Sequence, residues 1–191
     1  MDGISILLDG ACSKVEPYAE TPMALLDTLS NNYPDAVGFT HRHPDHFLNS
    51  FVCNYEKETG RQAWIAAECS ATVGAVQWKC FPTRHLGRVE EGLFHSSFLI
   101  SGSKTILFTG DAAPASVRGI KADVVIAPFA YANTVAGLKA VEATGAKDFI
   151  LVHMPEEQKD TYGIWDSVNK TLSDVVKLII HIPEIGETVH L

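Results

Sequence analysis

The sequence predicts an α/β domain built of layered sheets and helices, and three observations carry that prediction. Short apolar runs alternate with longer stretches whose apolar residues recur every three or four positions, as strands and amphipathic helices do. Hydrophobic residues make up 46% and charged ones 20% of the 191 residues, which supplies one sizeable core without disulfides. No internal repeat, low-complexity stretch or linker interrupts the pattern, so residues 1–191 are expected to form a single domain.

Residues 3–8 form an apolar run closed by the turn pair Asp9-Gly10, and are expected to be a buried strand. Thr21 as N-cap and Pro22 as first helical residue open a helix with Leu25, Leu26 and Leu29 on one face, stopping near Asn31-Asn32. Residues 36–40 return to strand, completing a βαβ unit. Phe47, Phe51 and Tyr55 recur every four residues up to Gly60 and mark an amphipathic helix. Residues 63–67 are the next strand. Residues 77–81, 95–100 and 105–108 then predict antiparallel strands, the last two joined by a tight turn at 101–104. Residues 124–127 are a buried strand, and Thr134 caps a helix through Val135, Leu138 and Val141 that Gly145 closes. Residues 149–152 make a strand ending at His153. Tyr162, Trp165, Val168 and Leu172 carry a helical stripe, and residues 175–182 give a late strand.

Charge and cysteine usage narrow the functional classes. A net charge of −8 with no Lys/Arg run argues against a nucleic-acid partner. Cys12, Cys53, Cys69 and Cys80 are widely spaced and lack a C-x-x-C pattern, so reduced thiols are expected. With neither a signal-peptide pattern nor a membrane-length apolar run, a cytoplasmic protein acting on a small molecule is the expectation.

The chemistry concentrates in Thr40-His41-Arg42-His43-Pro44-Asp45-His46, directly after a strand. Imidazole and carboxylate groups suit zinc and similar divalent metals. On a turn, His41 and His43 can point one way while Asp45 and His46 point another, which feeds two adjacent metal positions. An open dinuclear site of that kind is catalytic in character. Downstream, Asp111 follows the apolar run of residues 107–108 and Thr109-Gly110. His153 stands at the tip of another strand. Arg84, His85, Arg88 and His95 cluster around one loop.

The His-x-His-x-Asp-His segment resembles the signature of the metallo-β-lactamase superfamily, and the resemblance covers nearly the whole chain. It implies an αββα sandwich of two mixed β-sheets flanked by helices. It also implies one metal at His41, His43 and His85 and a second at Asp45, His46 and His153, bridged by Asp111. His95 competes with His85 for the third-motif position, and whichever is not a ligand would face the cavity with Arg84 and Arg88 as a substrate or oxyanion contact. The implied activity is metal-dependent hydrolysis. A metal-bridged hydroxide would attack a small ester, lactone, thioester or phosphodiester while Asp45 orients it or shuttles its proton. Two Zn²⁺ ions are the expected cofactors, with Mn²⁺ or Fe as substitutes. A diiron redox protein of the same fold and a non-catalytic metal-binding domain are the rivals, although the diiron group usually carries Glu where this chain has His43. Members of the superfamily generally have extra strands before the first one here. The alternatives are a shortened N-terminal part with a short first sheet, which is the expected form, and a natural N-terminal extension that precedes these residues. The exposed edge of the short sheet would favour a homo-oligomer.

Overall fold

A computed structural model describes residues 3–87, 93–173 and 177–191. Two sheets result. The smaller is wholly parallel, in the order β1 (Ile6–Leu8), β2 (Ala36–Phe39), β3 (Trp64–Ile65). The larger contains β4 (Cys69–Val73), β5 (Val76–Pro82), β6 (Ser96–Ser101), β7 (Thr105–Phe108), β8 (Val124–Pro128), β9 (Asp148–Val152) and β10 (Ile179–His181), lying side by side in reverse sequence order. Strands β4 to β7 pair antiparallel, and β7 to β10 pair parallel.

The strands' period of two sorts their side chains into layers. In β2, Val37 and Phe39 face one way, packing with Phe51, Val52 and Tyr55 of helix α2 (Asn49–Thr59) and with Leu26 and Leu29 of helix α1 (Met23–Asn31). Ala36 faces the other way, into a core between the sheets built by Trp78, Cys80, Phe98 and Phe108. Gly38 lies on that same inner face. A Cβ there would sit 2.7 Å from Trp78 Cζ2 and 2.9 Å from Phe98 Cζ, so only glycine lets the sheets approach this closely. Leu107, Val125, Phe149 and Leu151 form the outer face of the large sheet. They pack under α3 (Phe129–Ala132), α4 (Val135–Thr144) and Val168 of α5 (Ile164–Leu172). Helix, sheet, sheet and helix are therefore stacked as four layers, as expected.

Local details differ from expectation where side chains found other partners. Helix α1 begins at Met23, and Thr21 does not cap it: the Thr21 hydroxyl accepts from Cys12 N at 2.9 Å and donates to the Gly10 carbonyl. Thr134 does cap α4, accepting from Gly137 N at 3.0 Å, yet Val135 is 67% exposed and takes no part in the buried face. Tyr162 is exposed and precedes α5. The third parallel strand shortens to Trp64–Ile65 and the last to Ile179–His181, residues 175–176 of that expected strand lying outside the described residues. Among the described residues no helix is long and apolar enough to cross a membrane.

Candidate metal centre

All the candidate ligands sit beyond strand ends at one edge of the sandwich, the side where parallel strands present their carboxyl ends. Strand β2 runs into Thr40 and His41, β7 into Gly110 and Asp111, and β9 into His153; β5 leads to His85. Residues 43–47 then close a turn in which His46 N and Phe47 N both donate to the His43 carbonyl, bringing four candidate ligands of one segment to the same edge. Gly110 has φ +51°, and a Cβ there would lie 2.6 Å from Thr40 Oγ1, so glycine brings the tips of β7 and β2 together. His153 adopts φ +58°, a left-handed conformation unusual for a side-chain-bearing residue and found disproportionately at functional sites.

Candidate ligand atoms gather in three groups, each within 4.8 Å: the triads His41, His43, His85 and Asp45, His46, His153, and a third of Asp9, His41 and His46 that links them. Asp111 Oδ2 stands between them, 3.5 Å from His46 Nε2, 3.7 Å from His85 Nε2 and 3.9 Å from His153 Nε2. Asp45 Oδ2 is 3.3 Å from His153 Nε2. A cavity of about 240 Å³ opens beside them, lined in part by Asp9, Asp45, His46, Asp111 and His153.

The surrounding hydrogen bonds set the tautomers. Asp9 ends β1, and its carboxylate accepts from Thr40 N (2.7 Å), from the Thr40 hydroxyl (2.6 Å) and from His46 Nδ1 (2.9 Å). Because the Thr40 proton is given to Asp9, the hydroxyl oxygen must accept from His41 Nδ1, 2.9 Å away. His85 Nδ1 likewise donates to the Leu86 carbonyl at 2.6 Å. For His46 and His85 this leaves an unpartnered Nε2 lone pair at the centre, which is how ligating histidines are usually oriented, whereas His41 Nε2 lies 3.0 Å from His43 Nδ1 and accepts from it.

Burial and charge act strongly here. Burial, with the neighbouring His46, drives His41 far below the usual imidazole range. Burial alone would raise Asp111, but His46 beside it and the surrounding imidazoles outweigh it and hold the carboxyl far down. Asp45 is lowered in the same manner, its burial overcome chiefly by His153. Burial opposes the charged form of His46, yet the Asp111 and Asp9 carboxylates beside it raise its pKa well above the ordinary value.

A test of fit comes from unpartnered polar atoms. Among the described residues seven buried side-chain nitrogen or oxygen atoms lack a hydrogen-bond partner, and all but Trp78 Nε1 belong to His46, His85, His95, Asp111 and His153. Leaving so many buried polar groups unpaired costs free energy. A cluster of lone pairs converging on one space is what divalent cations satisfy.

The other expected site residues fall differently. His95 is 5% exposed and packs against His41 and His85, with ring centroids at 5.1 and 5.5 Å. Burial and the nearby His85 push its pKa down to about 3. Arg84 is exposed and is held through its backbone, by Ser116 Oγ and Ala113 N, with no described bond from its guanidinium to the cluster. Arg88 lies outside the described residues. Asp9 was absent from the expected set, because Asp-Gly after a strand is an ordinary turn signal; its position at the tip of β1, beside β2, was the available clue.

No family model matches the chain, and no curated protein matches it by sequence. Solved structures do. An isothiocyanate hydrolase from Delia radicum gut bacteria superposes with a TM-score of 0.67 at 16% identity, over 100% of this chain and 94% of that one. A protein of Veillonella parvula DSM 2008 described as a possible metal-dependent hydrolase gives 0.64 at 20% identity, over 100% and 91%. The metallo-β-lactamase fold protein YhfI of Bacillus subtilis gives 0.56 at 16% identity, over 86% and 82%. This chain has the metallo-β-lactamase fold. In that fold the sandwich edge carrying both triads is one continuous rim, to which the small sheet contributes His41, His43, Asp45 and His46 and the large sheet His85, Asp111 and His153.

Proposed function

We propose that the protein is a metal-dependent hydrolase of small carbonyl esters, lactones or thioesters, holding two divalent cations, zinc foremost. The observation that carries this is the pair of triads with Asp111 between them. His41, His43 and His85 would hold one cation, Asp45, His46 and His153 the other, and Asp111 would bridge. Asp9, Asp45 and Asp111 bring three carboxylates into a largely buried space, a concentration of charge that needs cations close by.

Such a pair of cations lowers the pKa of the water it binds and polarises the substrate oxygen. The residues do the rest. Asp45 reaches the mouth of the centre, so its carboxylate can hold the proton of an attacking water and pass it to the leaving group. Asp9 and Thr40 keep His41 and His46 in the required tautomers. Tyr18 lies edge-on against His153 with ring centroids 4.1 Å apart, shielding one side from water.

The neighbouring cavity supports this choice of substrate class. Its volume is about 580 Å³, and it shares Asp45 and His153 with the centre. Tyr18, Met154, Trp165 and Ile182 supply apolar walls, while Glu156, Glu157 and Glu184 join Asp45 as its carboxylates, and among the described residues no Lys or Arg lines it. Lys159 is already paired with Glu156 of the cavity at 2.9 Å and lies 3.6 Å from Glu16. Carboxylates beside aromatic faces favour a neutral or cationic group and repel phosphate. A neutral or positively charged carbonyl ester therefore fits better than a phosphodiester.

Metal analysis of protein purified without added metal, together with hydrolysis of matched cationic, neutral and anionic aryl esters and a phosphodiester, tests this. About two zinc equivalents and chelator-sensitive ester hydrolysis are expected. Iron without hydrolysis would replace the proposal with the diiron redox alternative, and fastest turnover of the phosphodiester would reverse the substrate class.

A further inference from the structure

His95 is buried beside the first triad, and one of its ring nitrogens meets no protein group. The other is held at the end of a relay through the interior. His95 Nδ1 lies 2.7 Å from Thr83 Oγ1, Thr83 Oγ1 lies 3.0 Å from Ser97 Oγ, and Ser97 Oγ donates to the Thr109 carbonyl at 2.8 Å. Ser97 and Thr109 are fully buried.

The relay has a direction. A carbonyl only accepts, so the single Ser97 proton goes to Thr109, and Ser97 can only accept from Thr83. The Thr83 proton is thereby committed to Ser97, and Thr83 can only accept from His95 Nδ1. Running the relay the other way would give up the bond to Thr109, one of three, and would point an Nε2 proton at the centre with no acceptor in place. Three hydrogen bonds therefore fix the proton on Nδ1 and leave an unpartnered lone pair on Nε2, in a ring packed against those of His41 and His85.

We propose that His95 is a fixed hydrogen-bond acceptor facing the His41/His43/His85 triad, where it takes a hydrogen bond from the attacking water and orients it. This rests on the hydrolase function proposed above. It replaces the donor role that an oxyanion contact would require: a neutral imidazole with its proton on Nδ1 has none to offer at Nε2. The alternative use of the same lone pair is direct metal ligation, which the test separates. Thr83 and Ser97 are positioning residues, acting only through His95.

The test is the imidazole tautomer, read by long-range ¹H–¹⁵N NMR on ¹⁵N-histidine-labelled full-length protein, both zinc-loaded and chelated. The expected spectrum has His95 protonated on Nδ1 and bare on Nε2 in both states, and Thr83→Val or Ser97→Ala should erode that preference. A proton on Nε2, or a tautomer indifferent to both substitutions, overturns the proposal. His95→Gln should keep its full zinc content while turnover of the best ester falls about 10²-fold, the low end for loss of a proton-handling group; loss of a zinc equivalent would make His95 a ligand and overturn it. Because the tautomer is read without turnover, a protein that hydrolyses none of the esters refutes the hydrolase function, while the spectrum still decides whether the relay fixes the proton on Nδ1.

Discussion

Asp9→Asn offers the sharpest test of how this centre is built. The Asp9 side chain is 6% exposed, and its two oxygens accept three hydrogen bonds, from Thr40 N, Thr40 Oγ1 and His46 Nδ1. Asparagine has nearly the same shape but one acceptor oxygen and an NH₂ group. If its oxygen keeps the 2.7 Å bond to Thr40 N, the NH₂ meets the Thr40 hydroxyl and His46 Nδ1. Thr40 must then turn its proton toward His41, and both His41 and His46 are pushed to carry theirs on Nε2, where the metals need lone pairs. If the amide flips, its NH₂ confronts Thr40 N–H, donor against donor. Removing one such outer partner of a ligating histidine costs roughly 10–100-fold in metal affinity, which is about 1.4–2.7 kcal/mol. Since His41 belongs to one triad and His46 to the other, both cations should weaken by about that factor. Competition against a chromophoric chelator measures each step. Unchanged affinity at both steps would mean that Asp9 does not set the histidine tautomers.

Four further outcomes are expected. His153→Ala should leave one divalent cation per chain while His85→Ala leaves the other, and metal analysis that finds two in either variant refutes the assignment of that residue. Chelation should lower the melting temperature, because bound cations stabilise only the folded chain, and identical melting with and without chelator would mean that the triads hold no metal. Gly38→Ala should cost about 1–3 kcal/mol in urea unfolding, since its Cβ would be driven against Trp78 and Phe98; a neutral result would mean that the sheets have room to part. Glu157→Gln combined with Glu184→Gln should reduce the cationic-to-neutral ester ratio in kcat/KM about threefold, as expected for exposed charges, and an unaltered ratio would remove these carboxylates from substrate selection.

What the sequence made legible follows from which signals are local. Strands β2 and β7 and the stop of α2 at Gly60 came from runs and turn residues a few positions long, and they sit where expected. Strand β4 was missed because its alternation is written in small residues: Cys69, Ala71 and Val73 alternate with Ser70 and Thr72, a pattern with little contrast. Helix α3 escaped because four residues hold barely one turn. The four candidate ligands of the 41–46 segment were visible through their spacing, whereas Asp9 and the Thr83–Ser97–Thr109 relay depend on pairing between distant strands. Such pairing leaves no local periodicity. The choice between His85 and His95 turned on the same kind of information, since His85 Nε2 falls 3.7 Å from Asp111 only because residue 85 bridges Ala112 across the rim.

The large cavity beside the centre has a further consequence. Its floor, Asp45 and His153, belongs to the metal rim, but most of its walls come from residues 154–158, from Trp165 and from residues 182–185, segments that contribute nothing else to the triads. Divided inheritance of this sort lets the wall be rewritten while the floor stands still. On the proposed hydrolase function, a lineage changing Glu157, Glu184 or Ile185 would alter which molecules are admitted without disturbing the candidate metal centre, so substrate preference is the trait expected to drift fastest among proteins sharing this rim.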